Sequence, residues 1–498
     1  MRVYLINPPR IHPKTWGVPG VFQPIDIAYV AAFLENHNHR VKILDAAAEG
    51  WKTVKDLDDE RYVEGLANEE IARRIKQFSP DVVGVNMPFS GWSRTAFEVA
   101  ATAKSLDRDI PVVMDGVHPS ARPKETLANP NIDFAIIGEP ELTWLELLES
   151  IEKGISPEGL KRIKGLGFRQ NTRIIITHFR PLIQNLDILP FPARHLLPMN
   201  LYFTAVKENP LRGEITKPWT VMYTSRGCPY QCIFCSAHLV RGRTWRGRSP
   251  ENVIAEIRQL SENYKIKQID FCDDNMTLDK KRMEKICTLI KENKLDIEWY
   301  TPNGVRADTL DVQLLKKMKA SGCKRIYVAP ESGNPQILNT VIKKNLDLKK
   351  VEETVAAAKK LGIKVACFFV IGVIGETKDD IEKTINFAYK LKKLGADKFY
   401  FSFAMPLYGT ELYEQAKTLG YLKENFSDEA LSFVKPIIET PEFTAEELQK
   451  LCEKANLVNP VFTKDKFIKA VGSPRKAIKT LLWRIRKSAK IVYPSENN

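Results

Sequence analysis

Three closely spaced cysteines carry the clearest chemical signal in this sequence. Cys228, Cys232 and Cys235 are separated by three and then two residues, and they follow a strand-like run at 220–225. No cysteine precedes Cys228, and the next one along the chain is Cys272. Three thiolates on one short loop suit a [4Fe–4S] cluster whose fourth iron stays open for a small molecule.

Two other interpretations of these cysteines stay open. His238 follows Cys235 at a spacing that would complete a four-ligand zinc site. Structural zinc sites usually consist of two paired ligand groups separated by a loop, whereas this triplet stands alone. Accidental spacing without any metal is the second alternative. The aromatic Phe234 before the last cysteine and the barrel-like pattern downstream favour the cluster.

Length and composition indicate a multidomain globular protein. The chain has 498 residues, enough for two or three domains, with 44% hydrophobic and 27% charged residues. The five cysteines outside the triplet lie singly in apolar contexts, as buried thiols do. Scattered thiols and an oxygen-sensitive cluster predict a reducing cytoplasm. We expect neither a signal peptide nor a transmembrane helix, because no long apolar run occurs.

The formal net charge of +14 is concentrated near the carboxyl terminus. Residues 464–490 contain ten lysines and arginines against the single acid Asp465. A helix from Pro474 would align apolar residues on one face, which predicts peripheral contact with an anionic membrane. A helix packed on the protein with solvated lysines is the alternative. Nucleic acid is a weaker third option, because no aromatic–basic interleaving accompanies the charge.

The first part of the chain, residues 1–155, reads as an α/β domain. Predicted strands at 3–7, 81–86, 111–116 and 133–138 alternate with predicted helices at 25–35, 69–78, 93–105 and 141–152. This order predicts a parallel sheet covered by helices, with ligands at the carboxyl ends of the strands. Ordinary turn chemistry is the alternative role for the residues there. Those that suit ligand contact are Asn7, Pro8, Asn86, Gly116, His118, Gly138 and Glu139.

Three further segments follow. Residues 156–215 form a proline-punctuated linker, and residues 216–430 repeat strand then helix six times. The predicted strands are 221–225, 268–272, 297–301, 325–329, 365–371 and 398–403. Six units are fewer than the eight of a complete (β/α)8 barrel, so we predict a partial (β/α)6 barrel with its active site at the carboxyl ends of the strands. Residues 431–498 are predicted to be a small, helical, basic extension.

The spacing C-x3-C-x2-C with an aromatic before the last cysteine closely resembles the signature of the radical S-adenosylmethionine (radical SAM) enzymes. The resemblance implies that Cys228, Cys232 and Cys235 hold the cluster and that its open iron chelates the methionine moiety of SAM. One-electron cleavage of SAM then releases a 5′-deoxyadenosyl radical. A laterally open partial barrel is the core of that family, and Phe234 matches its usual backbone contact to adenine.

Further strand ends match the SAM-facing segments of the family. Asp273 and Asp274 follow the second barrel strand, where the family holds the methionine amine; capping the helix near Asp279 is the alternative. Glu331 and Ser332 belong to a Glu-Ser-Gly segment that resembles the one facing the ribose and carboxylate. Gly372 and Gly375 resemble the glycine-rich segment along the adenine, where missing side chains let backbone approach a flat base.

The first domain resembles the Rossmann- or flavodoxin-like cobalamin-binding domain that precedes the core in one branch of this family. The loops 116–119 and 138–141 match that branch. The Asp-x-His-x-x-Gly cobalamin motif is incomplete, because His118 lies three residues after Asp115 and no glycine follows in place. The resemblance therefore implies base-off cobalamin without a histidine ligand.

These cofactors together imply methylation of an unactivated carbon. In the family, one SAM methylates cobalamin and a second supplies the radical, so we predict a cobalamin-dependent radical SAM C-methyltransferase, with a lipid or isoprenoid substrate favoured by the basic tail. A cyclase or C–C coupling enzyme without methyl transfer is the alternative, and a non-catalytic redox or sensory protein is the second. Methylthiotransferases of this family need three further cysteines before the barrel. No cysteine precedes Cys228, so this activity is excluded. Ferredoxin or flavodoxin is the expected electron donor.

Overall fold

A computed structural model describes residues 1–14, 21–208, 215, 217–423, 426–432 and 435–459. The first unit has one large sheet and a small side sheet. Its strands are β1 (Arg2–Asn7), β2 (Arg10–Pro13), β3 (Arg40–Asp45), β4 (Val54–Asp56), β5 (Arg61–Glu64), β6 (Val82–Asn86), β7 (Val112–Asp115), β8 (Phe134–Ile136), β9 (Leu166–Gln170) and β10 (Arg173–Ile176). Its helices are α1 (Ile25–Glu35), α2 (Ala46–Glu49), α3 (Asn68–Phe78), α4 (Ser93–Leu106), α5 (Val117–Ala121), α6 (Pro123–Ala128), α7 (Glu141–Glu152) and α8 (Pro157–Arg162).

The large sheet has the order β10-β9-β8-β7-β6-β1-β3, and its strands from β8 to β3 are parallel. Central strands are apolar along their whole length because helices cover both faces. Val3, Leu5 and Ile6, for example, are at most 1% exposed. The predicted α/β class and the carboxyl-edge placement of the candidate turns are confirmed.

The first unit extends further than predicted. Strands β9 and β10 form an antiparallel hairpin that pairs with β8, so the sheet continues to Ile176, past the predicted boundary at residue 155. Strand β3 also escaped prediction, because charged residues interrupt its apolar pattern. The side sheet, in the order β2-β5-β4, was likewise not foreseen.

The predicted linker is extended near its middle and helical at its end. Helix α9 (Met199–Glu208) lies against the first sheet, where the Tyr202 hydroxyl donates to Asp45 Oδ2 at 2.6 Å. The Ala193 amide donates to the Ala28 carbonyl at 2.9 Å. Buried apolar residues of both units belong to one continuous core. The linker therefore packs on the first unit.

The second unit is an incomplete barrel. Its strands are β11 (Trp219–Met222), β12 (Ser225–Arg226), β13 (Arg246–Gly247), β14 (Gln268–Phe271), β15 (Glu298–Val305), β16 (Cys323–Glu331), β17 (Lys364–Ile371) and β18 (Lys398–Phe403). Its helices are α10 (His238–Arg241), α11 (Pro250–Tyr264), α12 (Lys280–Glu292), α13 (Val312–Ala320), α14 (Leu348–Lys360), α15 (Lys378–Leu394), α16 (Glu411–Thr418) and α17 (Ala445–Ala455).

Six parallel strands form the barrel sheet in the order β11-β14-β15-β16-β17-β18, and β12 pairs with β13 apart from it. Strands β11 and β18 are the two edges, so the barrel is open on one side, as predicted. Helix α17 covers part of the outside through Leu448 and Cys452. No helix among the described residues is long and apolar enough to cross a membrane. The helix predicted from Pro474 lies outside the described residues.

Candidate active site

The cysteine loop lies at the carboxyl end of β11, the first barrel strand. It begins at Gly227, whose φ of +82° belongs to the left-handed region and where a Cβ would stand 2.3 Å from the Thr244 carbonyl oxygen. Further along, the Ile233 amide donates to the Ile342 carbonyl at 3.2 Å. The loop is thus fixed at its start and at its middle.

Polar groups from the second barrel strand hold this loop in place. Asp273 is buried, and its Oδ1 accepts from Thr224 Oγ1 at 2.7 Å and from Ser225 Oγ at 2.5 Å. Asp274 Oδ2 accepts from the Gly227 amide at 2.8 Å. The cap of α12 is Asp279 itself, which accepts from the Arg282 amide. The tandem acids therefore do not cap the helix, as the alternative would require.

Asp273 and its neighbour Asn275 each leave one buried oxygen without a hydrogen-bond partner, Oδ2 and Oδ1 respectively. Asn275 Nδ2 lies 4.0 Å from Cys228 Sγ. Burial raises the pKa of Asp273, although the Ser225 and Thr224 hydroxyls partly offset this. Unpartnered oxygens this close to the cysteine loop leave acceptors for a ligand amine or hydroxyl.

Glu331 lies at the end of β16 in strained backbone, with φ of +62°. Its carboxylate pairs with buried Lys344 at 2.8 Å. Burial lowers the pKa of Lys344, but the Glu331 carboxylate and Cys232 together outweigh burial and the net shift is upward. Ser332 is fully buried, and its Oγ accepts from the Asn334 amide at 3.1 Å. Strain of this kind is typical of functional sites.

The glycine-rich segment after β17 closes on a buried acid. Gly372 and Gly375 have φ of +81° and +89°, which only glycine adopts readily. Glu376 Oε2 accepts from the Gly372 amide at 2.6 Å, while Oε1 has no partner. Burial raises the pKa of Glu376 to about 8. Glu376 thereby shapes the glycine-rich turn that was predicted from the sequence to lie along the adenine of SAM.

A cavity of about 430 Å³ lies between the two units. One wall is the carboxyl edge of the first sheet, and the facing wall is the cysteine loop and its helix. Seven of the predicted site residues line it: Asn86, Gly116, Gly138, Glu139, Phe234, Cys235 and Asp274. Residues that were predicted from the sequence to contact two different ligands, cobalamin and SAM, therefore line the same cavity, which we call the chamber.

The remaining predicted residues do not line this cavity. Asn7 is buried and donates from Nδ2 to Asp45 Oδ1 at 2.7 Å, and Pro8 is buried beside it. His118 is 1% exposed, with Nδ1 2.9 Å from Ser90 Oγ and its ring edge-on to Tyr408 of the barrel. Burial lowers the pKa of His118 to about 4, so the ring is neutral at pH 7. Their assigned ligand contacts stay predictions.

Comparison with known proteins identifies the two units. A family model described as the radical SAM superfamily matches residues 222–388, and one described as the B12 binding domain matches residues 17–148. An uncharacterized methyltransferase of Pyrococcus horikoshii is 36% identical over 456 residues, which cover 91% of each chain. The chain belongs to the cobalamin-binding radical SAM enzymes. Such an enzyme uses a [4Fe–4S] cluster, SAM and cobalamin.

More distant relatives of this radical SAM enzyme have two kinds of activity in their names. Cytidylyl-2-hydroxyethylphosphonate methyltransferase of Streptomyces wedmorensis is 29% identical over 91% of this chain and 89% of the relative. Anaerobic magnesium-protoporphyrin IX monomethyl ester cyclase of Rubrivivax gelatinosus is 24% identical over 94% of this chain and 80% of the relative. Both span nearly the whole chain, so the two units occur together in each.

Solved structures share the fold. The radical SAM methyltransferase TsrM from Kitasatospora setae, with tryptophan and a SAM analogue bound, matches with a TM-score of 0.67 and 18% identity over 86% of this chain and 79% of that chain. The cobalamin-dependent radical SAM enzyme OxsB matches with a TM-score of 0.69 and 15% identity over 92% of this chain and 66% of that chain. The solved structures therefore share the fold and the arrangement of the two units with this chain.

The cysteine loop of this radical SAM enzyme fits a [4Fe–4S] cluster. Cys228 and Cys232 are half-buried, Cys235 is exposed, and no disulfide joins them. Burial raises the pKa of Cys232, and the nearby Lys344 ammonium offsets part of that rise. Among the described residues, no group of three or more histidine, cysteine, aspartate or glutamate side chains is arranged to hold a single metal ion.

The opposite wall of the chamber fits cobalamin through bare backbone and apolar side chains. A Cβ at Gly116 would stand 2.5 Å from the Met87 carbonyl oxygen, and its φ is +117°, so only glycine fits this turn at the edge of the sheet. Val30 and Val117 add apolar lining on this wall. A large flat ring system needs backbone that it can approach closely, and no histidine is among the described residues that line the chamber.

Four charged or aromatic lining residues escaped the sequence-based prediction: Asp26, Tyr223, Arg226 and Arg241. The Arg241 guanidinium stands 3.9 Å over the Tyr223 ring and donates to Asp26 Oδ1 at 2.8 Å. Buried Arg226 pairs with Glu141 at 2.6 Å and with Glu139 at 3.3 Å. None lies in a recognisable motif; the only signal is that Arg226 and Arg241 flank the cysteines at close range.

Proposed function

We propose that this enzyme transfers a methyl group to an unactivated carbon atom. The observation that carries the proposal is the single chamber, because it places the candidate cobalamin-binding edge directly opposite the third cysteine of the cluster loop. Groups bound at the two walls would face each other inside this chamber. The methyltransferase relatives at 36% and 29% identity support this reading.

When bound, the cluster and SAM supply one-electron bond cleavage, and cobalamin supplies the methyl group. The chain itself contributes position and enclosure. Cys228, Cys232 and Cys235 hold the cluster, and Asp274 fixes the start of their loop through the Gly227 amide. Asp273 and Asn275 present unpartnered oxygens beside the loop, suited to orienting the SAM amine.

Enclosure comes from ion pairs buried between the two units. Glu139 Oε2 accepts from the Ile183 amide at 2.9 Å and from Arg246 Nη1 at 2.9 Å. Arg226 bridges Glu139 and Glu141. These contacts join the first sheet, the linker and the residues that flank the cysteine loop, at one side of the chamber.

Product analysis tests the proposal. The protein is reconstituted anaerobically with iron, sulfide and cobalamin, then given SAM and a strong reductant, and both S-adenosylhomocysteine and 5′-deoxyadenosine are quantified over many turnovers. We expect both products, the first only when cobalamin is present, and neither radical cleavage nor cluster in Cys232→Ala. Release of 5′-deoxyadenosine alone would contradict methyl transfer.

That outcome would favour the second candidate, a cyclase or coupling enzyme with the same cofactors. The observation on its side is the set of magnesium-protoporphyrin cyclase relatives, which align with up to 94% of this chain. Their identity of 24% is lower than that of the methyltransferase relatives. Methyl transfer is therefore the function that we propose first.

We also propose a ferredoxin or flavodoxin as electron donor, peripheral contact with an anionic membrane through the basic tail, and no nucleic-acid partner. Charge supports the membrane contact, since 464–490 has ten basic residues and one acid. The tail lies outside the described residues. Co-sedimentation of the full chain with phosphatidylserine vesicles, lost at high salt, would support this contact; equal sedimentation with neutral vesicles would contradict it.

A further inference from the structure

Two arginines stand at the two ends of the cysteine loop. Arg226 directly precedes Gly227, the first residue of the loop, and Arg241 is the last residue of α10, the short helix that follows the third cysteine. Both side chains line the chamber between the two units. We call Arg226 and Arg241 the arginine bracket.

Each member of the arginine bracket pairs with an acid of the first unit. Arg226 Nη2 donates to Glu141 Oε1 at 2.6 Å, at the start of α7. Arg241 Nη2 donates to Asp26 Oδ1 at 2.8 Å, in the first turn of α1. Glu141 and Asp26 also line the chamber. The cysteine loop is therefore tied to the first unit from both of its ends.

Arg241 in addition reaches the barrel side of the loop. Its Nη1 lies 3.6 Å from Asp274 Oδ1, while Asp274 Oδ2 accepts from the Gly227 amide at 2.8 Å. A Cβ at Gly227 would stand 2.9 Å from the Arg241 carbonyl oxygen, so the two ends of the loop pack closely together. One guanidinium group thus connects Asp26 of the first unit with Asp274 of the barrel and, through Asp274, with the start of the loop.

The surroundings of Arg241 hold its side chain in place. The guanidinium carbon lies 3.9 Å from the centroid of the Tyr223 ring, and the side chain is 12% exposed. Burial alone would lower the pKa of Arg241, but Tyr223, Asp26 and Asp274 raise it, so the group stays charged. A planar guanidinium can stack on a ring and contact carboxylates with its edge, which a lysine ammonium cannot reproduce.

We propose that Arg241 is a positioning residue that sets the separation between the cluster and cobalamin. The cysteines that hold the cluster lie between the two members of the arginine bracket, whereas the acids that hold the bracket belong to the unit that binds cobalamin. The spacing of these two walls decides whether groups on both cofactors meet inside the chamber. This inference goes beyond methyl transfer, because a cyclase with the same cofactors needs the same spacing.

Electron paramagnetic resonance of the full-length protein, loaded anaerobically with cluster and cobalamin and then reduced, tests the proposal. The magnetic interaction between cob(II)alamin and the reduced cluster weakens steeply as they move apart. Arg241→Met keeps the apolar stem and removes the guanidinium. Asp26→Ala removes the partner at a site that is 49% exposed, where substitution is tolerated. Iron and bound cobalamin are quantified for every variant.

Arg61→Met is the matched control. Arg61 likewise joins two acids, Asp58 of the first unit and Glu429 beyond the barrel, each at 2.6 Å. It differs from Arg241 in that it does not line the chamber. A general loosening of the contact between the two units should therefore affect both arginine variants, whereas a positioning role should affect only the variant at the chamber.

We expect Arg241→Met and Asp26→Ala to lose most of the broadening of the cob(II)alamin signal while they retain cluster and cobalamin. Arg241→Lys keeps the charge and should recover part of the broadening, and Arg61→Met should give the wild-type spectrum. If Arg241→Met does not take up the cluster, Asp26→Ala decides the question.

Four results would overturn the proposal. They are wild-type broadening in Asp26→Ala, equal narrowing in Arg61→Met, no recovery in Arg241→Lys relative to Arg241→Met, and a wild-type signal without any broadening. Formation of S-adenosylhomocysteine is measured separately, so failure of the positioning role is distinguishable from failure of the methyltransferase.

Discussion

Glu139→Gln probes the contacts that hold the two units of this enzyme together. Glu139 is 4% exposed, and its carboxylate is the one acidic partner of Arg246 among the described residues. It also accepts from the Ile183 amide in the linker at 2.9 Å. Burial alone would lower the pKa of Arg226, but Glu141 and Glu139 raise it, so the Arg226 guanidinium group remains charged.

The substitution preserves shape and removes one negative charge. It leaves an uncompensated positive charge in a buried site, for which the cost is about 3–5 kcal/mol. Arg246 keeps its bonds to the Ile183 and Arg241 carbonyls at 2.7 Å, which places the expected loss near the lower end, about 3 kcal/mol. That corresponds to roughly a hundredfold change in a local opening equilibrium.

Amide hydrogen exchange measures this opening at the site itself. In Glu139→Gln the Ile183 amide should exchange roughly a hundredfold faster than in wild type. The control is Glu146→Gln, because Glu146 pairs with Arg180 but is 43% exposed, so about 0–1 kcal/mol is expected. Equal acceleration in both variants, or none in Glu139→Gln, would refute the reasoning.

Three further predictions concern the cluster loop and the glycine-rich turn. Cys232→Ala should abolish the broad visible absorption of the reconstituted cluster; a full spectrum would disprove the ligand assignment. Burial raises the pKa of Glu376 to about 8 from 4.5, so its stabilising contribution is present below about pH 4.5 and is lost as the pH rises through 8. Glu376→Gln should therefore flatten the fall in thermal stability over that window, and an unchanged pH profile would count against a buried acid. Gly372→Ala, with φ of +81° and a Cβ 2.7 Å from Leu448, should cost about 1–3 kcal/mol more in chemical denaturation than Gly154→Ala, which has φ of +80° and open space around it.

The repeating units were predictable because their signals are local. Apolar strands followed by amphipathic helices located all six strands of the barrel sheet, and α7 and β18 agree with prediction to the residue. Strand β3 was missed since its lysine and arginine residues hide the alternation. The hairpin β9–β10 was missed because it joins the sheet after two helices, and no local pattern reveals that pairing.

The candidate site was predictable as two sets of turns but not as one chamber. Cys235 and Gly138 are nearly a hundred residues apart, and only tertiary packing brings them to the same cavity. The structural tasks of Asp273 and Glu139 were also hidden, because their partners Ser225 and Arg246 belong to other elements. Motifs identify residue types, whereas burial and partners decide which atoms remain available to a ligand.

The central claim is that one chamber serves both cofactors. Electron paramagnetic resonance of the anaerobically reduced protein, loaded with cluster and cobalamin, tests it most directly. The account predicts that the cob(II)alamin signal is broadened by magnetic interaction with the reduced cluster and that Cys232→Ala restores the narrow signal. A cob(II)alamin spectrum that is identical with and without the reduced cluster would place the two cofactors in separate sites and contradict the account.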